Sequence, residues 1–130
     1  MAYISADDVK AIRNELKATF PKWKFSVRKT SGGLSVDVTI LKGTCSFDEN
    51  FTDGRRYCQV NHYWIDSHWT DMEANAALKK INEIMHNAPG RVNADRKFFD
   101  HSDAQTDYFH TAFYTHLSIG QWDKHYEMVK

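Results

Sequence analysis

The sequence predicts an α+β fold: an antiparallel sheet of about four strands with two main helices packed on one face. Three observations point there. Apolar residues recur at helical spacing in two separated stretches, Val9 to Phe20 and Ala74 to Met85. Between them, two runs alternate apolar with polar on either side of the glycine pair Gly32-Gly33. A further alternating run lies near the C-terminus, from Tyr108 to Ile119.

The chain has 130 residues, the size of one domain, and residues 1-130 are read as one. Its first helix opens at Ser5, with Asp8 three residues on as a capping box, and Asp7 and Asp8 suit the positive helix N-terminus. Val9, Ile12, Leu16 and Phe20 form its inner stripe, and Pro21 stops it. In the first strand Trp23, Phe25 and Val27 face inward, with Lys24, Ser26 and Arg28 opposite. After a hairpin loop at Thr30 to Gly33, Leu34, Val36, Val38 and Ile40 continue the apolar side, against Ser35, Asp37 and Thr39. Cys45 to Phe47 reads as a short strand, and Tyr57 to Ile65 as a third long one. A second helix follows, capped by Thr70 and Glu73, with Ala74, Ala77, Leu78, Ile81 and Met85 buried. It ends at Asn87-Ala88-Pro89-Gly90. Residues 91–107 lack periodicity and read as a long loop. The last strand turns Phe109, Phe113, Leu117 and Ile119 inward and Tyr108, His110, Tyr114 and His116 outward. The tail packs back on the domain.

Composition excludes several classes. Seventeen basic residues balance seventeen acidic ones, so no net charge draws the chain to nucleic acid or membrane from a distance. No run approaches the ~18 apolar residues of a membrane span, and MAYISADDVK has no apolar core of a signal peptide. A cytoplasmic location in a host cell is expected, without membrane association. Two cysteines, Cys45 and Cys58, are too few for a disulfide scaffold or a thiolate zinc site and are expected to be reduced.

Seven histidines invite a metal reading, but the spacing does not support one. His110 and His116 share a strand face six residues apart, about 20 Å at 3.3 Å per residue. No His-Glu-x-x-His or Cys-x-x-Cys spacing is present, and no metal or cofactor is expected. Asp100, His101, Ser102 and Asp103 lie too close in sequence to assemble a triad, and no phosphate loop or nucleophile elbow occurs. The chain is therefore expected not to be an enzyme. The polar side of the sheet carries Lys24, Arg28, Asp37, His110, Tyr114 and His116, a mixture of cations and rings that suits phosphates and stacked bases. A half-solvated sheet has the same composition without a ligand, and Arg28 with Asp37 fits a cross-strand ion pair. Tyr57, Tyr63, Trp64 and Trp69 form an aromatic group that suits either the core or an interface with a partner or a second copy.

The stretch Phe20-Pro21-Lys22-Trp23-Lys24-Phe25-Ser26-Val27-Arg28, followed by Ser31-Gly32-Gly33-Leu34-Ser35-Val36-Asp37-Val38, resembles the large polyvalent protein associated domain 29 family. The close likeness covers roughly residues 8 to 40, with a weaker echo between Thr106 and Lys124. The resemblance implies a phage, plasmid or mobile-element setting and an accessory or counter-defence role, with no catalytic residues to carry across. The resulting expectation is a non-enzymatic protein that binds a host macromolecule, foremost a host protein, as an anti-CRISPR-like or anti-restriction-like inhibitor. The alternatives are a single-stranded nucleic-acid-binding module and a small-ligand (nucleotide) sponge; homo-oligomerisation is compatible with each.

Overall fold

A computed structural model describes residues 4–29, 35–51, 55–61, 65–93, 114–121 and 123–128. The chain runs α1 (Ala6–Thr19), β1 (Lys24–Lys29), β2 (Ser35–Gly43), a 3-10 turn (Asp48–Asn50), β3 (Cys58–Val60), α2 (Ile65–His68), α3 (Met72–Val92), β4 (Tyr114–Ile119) and β5 (Glu127–Met128). The architecture is α+β, as the periodicities predict. The sheet order is β1-β2-β4-β3, with β5 pairing to β2. β1 and β2 are antiparallel, as are β3 and β4. The central pair, β2 with β4, is parallel, so the sheet is mixed. A parallel pair needs a long crossover, and the segment holding α3 supplies it.

α1 forms where expected and for the expected reason. Ser5 Oγ accepts from the Asp8 backbone N–H at 3.1 Å, and the Asp8 carboxylate accepts from the Ser5 N–H at 2.9 Å. Its stripe of Val9, Ile12 and Leu16 is buried against α3 and β1. Each such side chain contributes about 1.5–3 kcal/mol when taken out of water. The opposing layer is the inner sheet face: Val27, Val36, Val38, Ile40, Val60, Leu117 and Ile119 are all buried. Arg91 near the end of α3 ties the helices together through Glu15 of α1 and Glu83 of α3.

Four local expectations are corrected. Of the expected third long strand, Cys58–Val60 alone is strand among the described residues, and Ile65–His68 is a helical turn that packs on α3, where tertiary packing overrides the β preference. Cys45 to Phe47 is not a strand; Phe47 enters the core beneath Trp69 and Tyr126, and burial of its ring replaces ladder bonds. The second helix is capped by Asp71, whose side chain accepts from Ala74 N at 3.4 Å, not by the Thr70–Glu73 box. Thr70 is already engaged: its hydroxyl and N–H donate to Glu49 at 2.5 and 2.9 Å, and those bonds hold the Glu49 carboxyl below its ordinary range. That helix also runs through Pro89 to Val92 instead of ending at Asn87-Ala88-Pro89-Gly90. Asn93 N–H closes the last turn on Pro89 O at 2.9 Å, and the Arg91 ion pairs hold the turn in place. Residues 94–113, which hold the Asp100–Asp103 cluster, lie outside the described residues.

The tail does return to the domain. Gly120 takes φ +66°, and its N–H donates to Ile40 O at 2.8 Å. A Cβ there would lie 2.4 Å from Arg56 O, so the turn requires glycine. Beyond it, β5 takes up the pairing with β2 where β4 leaves off, at Lys42↔Glu127. Tyr126 is driven into the core, and its hydroxyl donates to Cys45 O at 2.5 Å. Arg56 pins the same segment, donating to Tyr126 O at 3.0 Å while pairing with Asp48 at 2.9 Å.

Candidate binding groove

The outer sheet face is built by register. Antiparallel pairing sets Arg28 opposite Asp37, and parallel pairing sets Asp37 beside His116. One strand step on, Ser26, Thr39, Ser118 and Gln59 form a second row. Successive strand residues point to opposite faces, so both rows stand on the side away from the helices. All of them except Ser26 floor an open pocket of about 900 Å³, walled by Tyr57, Gly120, Gln121 and Asp123 from the β3 approach and the tail. That is near the upper end for a ligand site.

Asp37 is the unusual member. Its Oδ1 is buried and has no hydrogen-bond partner. The expected cross-strand ion pair does not form: among the described residues no salt bridge joins Arg28 to Asp37, although their backbones are partners. Facing residues on a strand pair hold Cα atoms together, while a long Arg side chain follows solvent. Arg28 and His116 are both exposed, and Asp37 between them is only partly so. A buried acceptor left unmade costs about 1–3 kcal/mol, so such groups are rare unless something else supplies the donor.

A second pocket of about 800 Å³ adjoins the first, and Asp123 lines both. Lys24, Lys42, Arg56 and Lys124 line it, against Asp123 and Glu127. Lys42 pairs with Glu127 at 3.5 Å and Arg56 with Asp48 at 2.9 Å. Lys24 and Lys124 have no ion-pair partner among the described residues. At the junction, the Tyr57 ring of the first pocket meets the His125 ring of the second, centroids 5.5 Å apart.

Of the residues picked from sequence, Arg28, Asp37 and His116 come together in one pocket, and Lys24 lines its neighbour. Tyr114 is placed by its backbone in register with Ser35. Trp69 is 2% exposed and packs edge-on against Phe47 at 5.6 Å, so it belongs to the core and not to an interface. Its ring buries more apolar area than any leucine could in that position. Tyr63, Trp64 and His110 lie outside the described residues. Sequence reasoning did not pick Gln59, Ser118, Lys42 or Lys124. Ser118 was legible from its two-residue spacing to His116; the others depend on where β3 and the tail return. Among the described residues no three His, Cys, Asp or Glu side chains converge as metal ligands. Burial pushes the Cys58 thiol up to about 11, and burial with the charges of Asp71 and Glu73 pushes Cys45 to about 12. Both are free thiols with little nucleophilic character.

No curated protein and no solved structure matches the chain significantly. A family model does, over residues 4–126, extending the likeness seen in the first helix and hairpin across nearly the whole chain. This chain belongs to the large polyvalent protein associated domain 29 family.

Proposed function

We propose that the protein is a non-enzymatic accessory protein of a phage or other mobile element, which binds a host macromolecule through the outer sheet groove to counter host defence. The observation that carries the binding part is the unpartnered Oδ1 of Asp37, set between exposed Arg28 and His116 in an open pocket. A fold that leaves an acceptor desolvated and a neighbouring cation unpaired has polar groups whose partners come from outside. Strand positions hold those groups rigidly, which favours recognition by shape and hydrogen bonding. The setting and the counter-defence role rest on the family resemblance.

The test uses the intact chain and an Arg28→Ala/His116→Ala variant, both positions being exposed so that the fold is retained. The wild type is expected to protect a mobile element in a host carrying a defence system and to co-purify with a host component, and the variant to lose both. Equal protection and equal capture by the two proteins would refute the groove as the working surface.

A further inference from the structure

Resting on that reading, we infer that the host macromolecule is a single-stranded nucleic acid, laid along the two joined pockets with an amino-bearing base at Asp37. Three features of the groove converge on it. First, its unpaired cations are spread out: Lys24 and Arg28 lie four residues apart on β1, about 13 Å at 3.3 Å per residue, with Lys124 at the tail. No one phosphate spans that distance, whereas a strand of phosphates does. Second, the Tyr57–His125 ring pair stands where the two pockets meet, a platform of the kind on which bases stack. Third, Asp37 Oδ1 needs a hydrogen-bond donor. Cytosine and adenine offer an exocyclic amino group, and carboxylates accept from such groups; thymine has none.

An acidic peptide would satisfy the lysines but would set its carboxylates against Asp37. A basic peptide would satisfy Asp37 but would meet Arg28, Lys24 and Lys124. A nucleic-acid strand carries anions and donors in the same repeating unit, and so matches both ends of the groove. The chain has zero net charge, so the attraction is local and only about three phosphates are neutralised. For a single strand the affinity should then fall with log salt at a slope of about −2, or about 15- to 20-fold between 50 and 200 mM.

The experiment titrates the full chain with ten-nucleotide oligo-dC and oligo-dT across that salt range. Oligo-dC is expected to bind about 10-fold tighter than oligo-dT, by the one hydrogen bond to a charged acceptor. Asp37→Asn should erase that difference. Lys24→Ala and Lys124→Ala, both at exposed positions, should each lower the salt slope by about 0.7. Tyr57→Leu should weaken both oligonucleotides and Tyr57→Phe restore them. No binding at 50 mM salt, a flat salt dependence, or cytidine monophosphate binding as tightly as the oligonucleotide would overturn the inference. Silent oligonucleotides beside groove-dependent capture of a host protein would overturn it too, while leaving the proposed function standing. Silence in both experiments sinks the two together.

Discussion

Replacing Asp37 by valine should make this protein more stable. The carboxylate occupies the middle of β2, and its Oδ1 is buried without a hydrogen-bond partner. In the unfolded chain that oxygen is hydrated, so folding strips its water and returns nothing. The penalty for such a group is about 1–3 kcal/mol. Valine adds a branch at Cβ, removes the acceptor and suits a central strand, a preference worth up to about 1 kcal/mol. No ion pair to Arg28 is lost, because none forms among the described residues. A net gain of about 1–3 kcal/mol follows. With an unfolding entropy near 2.1 cal/mol/K per residue, each kcal/mol moves the midpoint of a chain this long by about 4 °C. The expected rise is therefore about 4–11 °C by calorimetry, with a matching shift of the urea midpoint at unchanged m. Asp37→Asn separates charge from hydrogen bonding: it keeps a buried polar atom at the same place and should gain far less. A loss of 1 kcal/mol or more in the valine variant would refute the reasoning, since it would mean that Asp37 holds a native contact. A gain in stability together with a loss of binding is the signature of a group kept for function.

Two further perturbations test the tail and the core. Gly120→Ala adds a Cβ 2.4 Å from Arg56 O and 2.8 Å from Tyr126 N, both backbone atoms, at φ +66°. Left-handed strain and overpacking together should cost about 2–4 kcal/mol, read as a lower urea midpoint, and protease should cut the released tail. Alkaline pH should also destabilise the fold. The folded state keeps the Cys58 and Cys45 thiols protonated to about 11 and about 12, and burial likewise pushes the Tyr126 hydroxyl up. The unfolded chain releases these protons first, from an ordinary thiol value near 9.0, so stability is complete below that value and declines as pH rises through the folded values. A urea midpoint that stays flat from pH 8 to pH 11 would count against this, as would alkylation of either cysteine in the native protein at pH 8.

α1 and the paired strands β1 and β2 were legible because their determinants are local. Ser5 and Asp8 cap each other within one turn, and alternation from Phe25 to Ile40 sorts residues between two faces whatever the partner strand is. Legibility failed where short stretches had no dominant period. Tyr57 to Ile65 carries rings at strand-like spacing, yet among its described residues only Cys58–Val60 finds a partner in β4. Pro89 is a stop signal whose cost falls on one hydrogen bond near the helix end, and the Arg91 pairs to Glu15 and Glu83 hold that turn. Those carboxylates come from another helix and another turn, so no local pattern announces them.

By itself the sequence determined the α+β class, the membership of Arg28, Asp37 and His116 in one polar sheet face, and the family. Periodicity and motif are properties of neighbours along the chain, and they survive without any fold. Only the tertiary structure decided that β2 and β4 run parallel, that Asp37 lies between Arg28 and His116 with an oxygen left unpaired, and that Gly120 turns the tail to close the groove. Those facts depend on strand register and on which segments meet across long loops. A shift of one residue would reverse the faces, and the energy that forbids it is spread over the whole buried core.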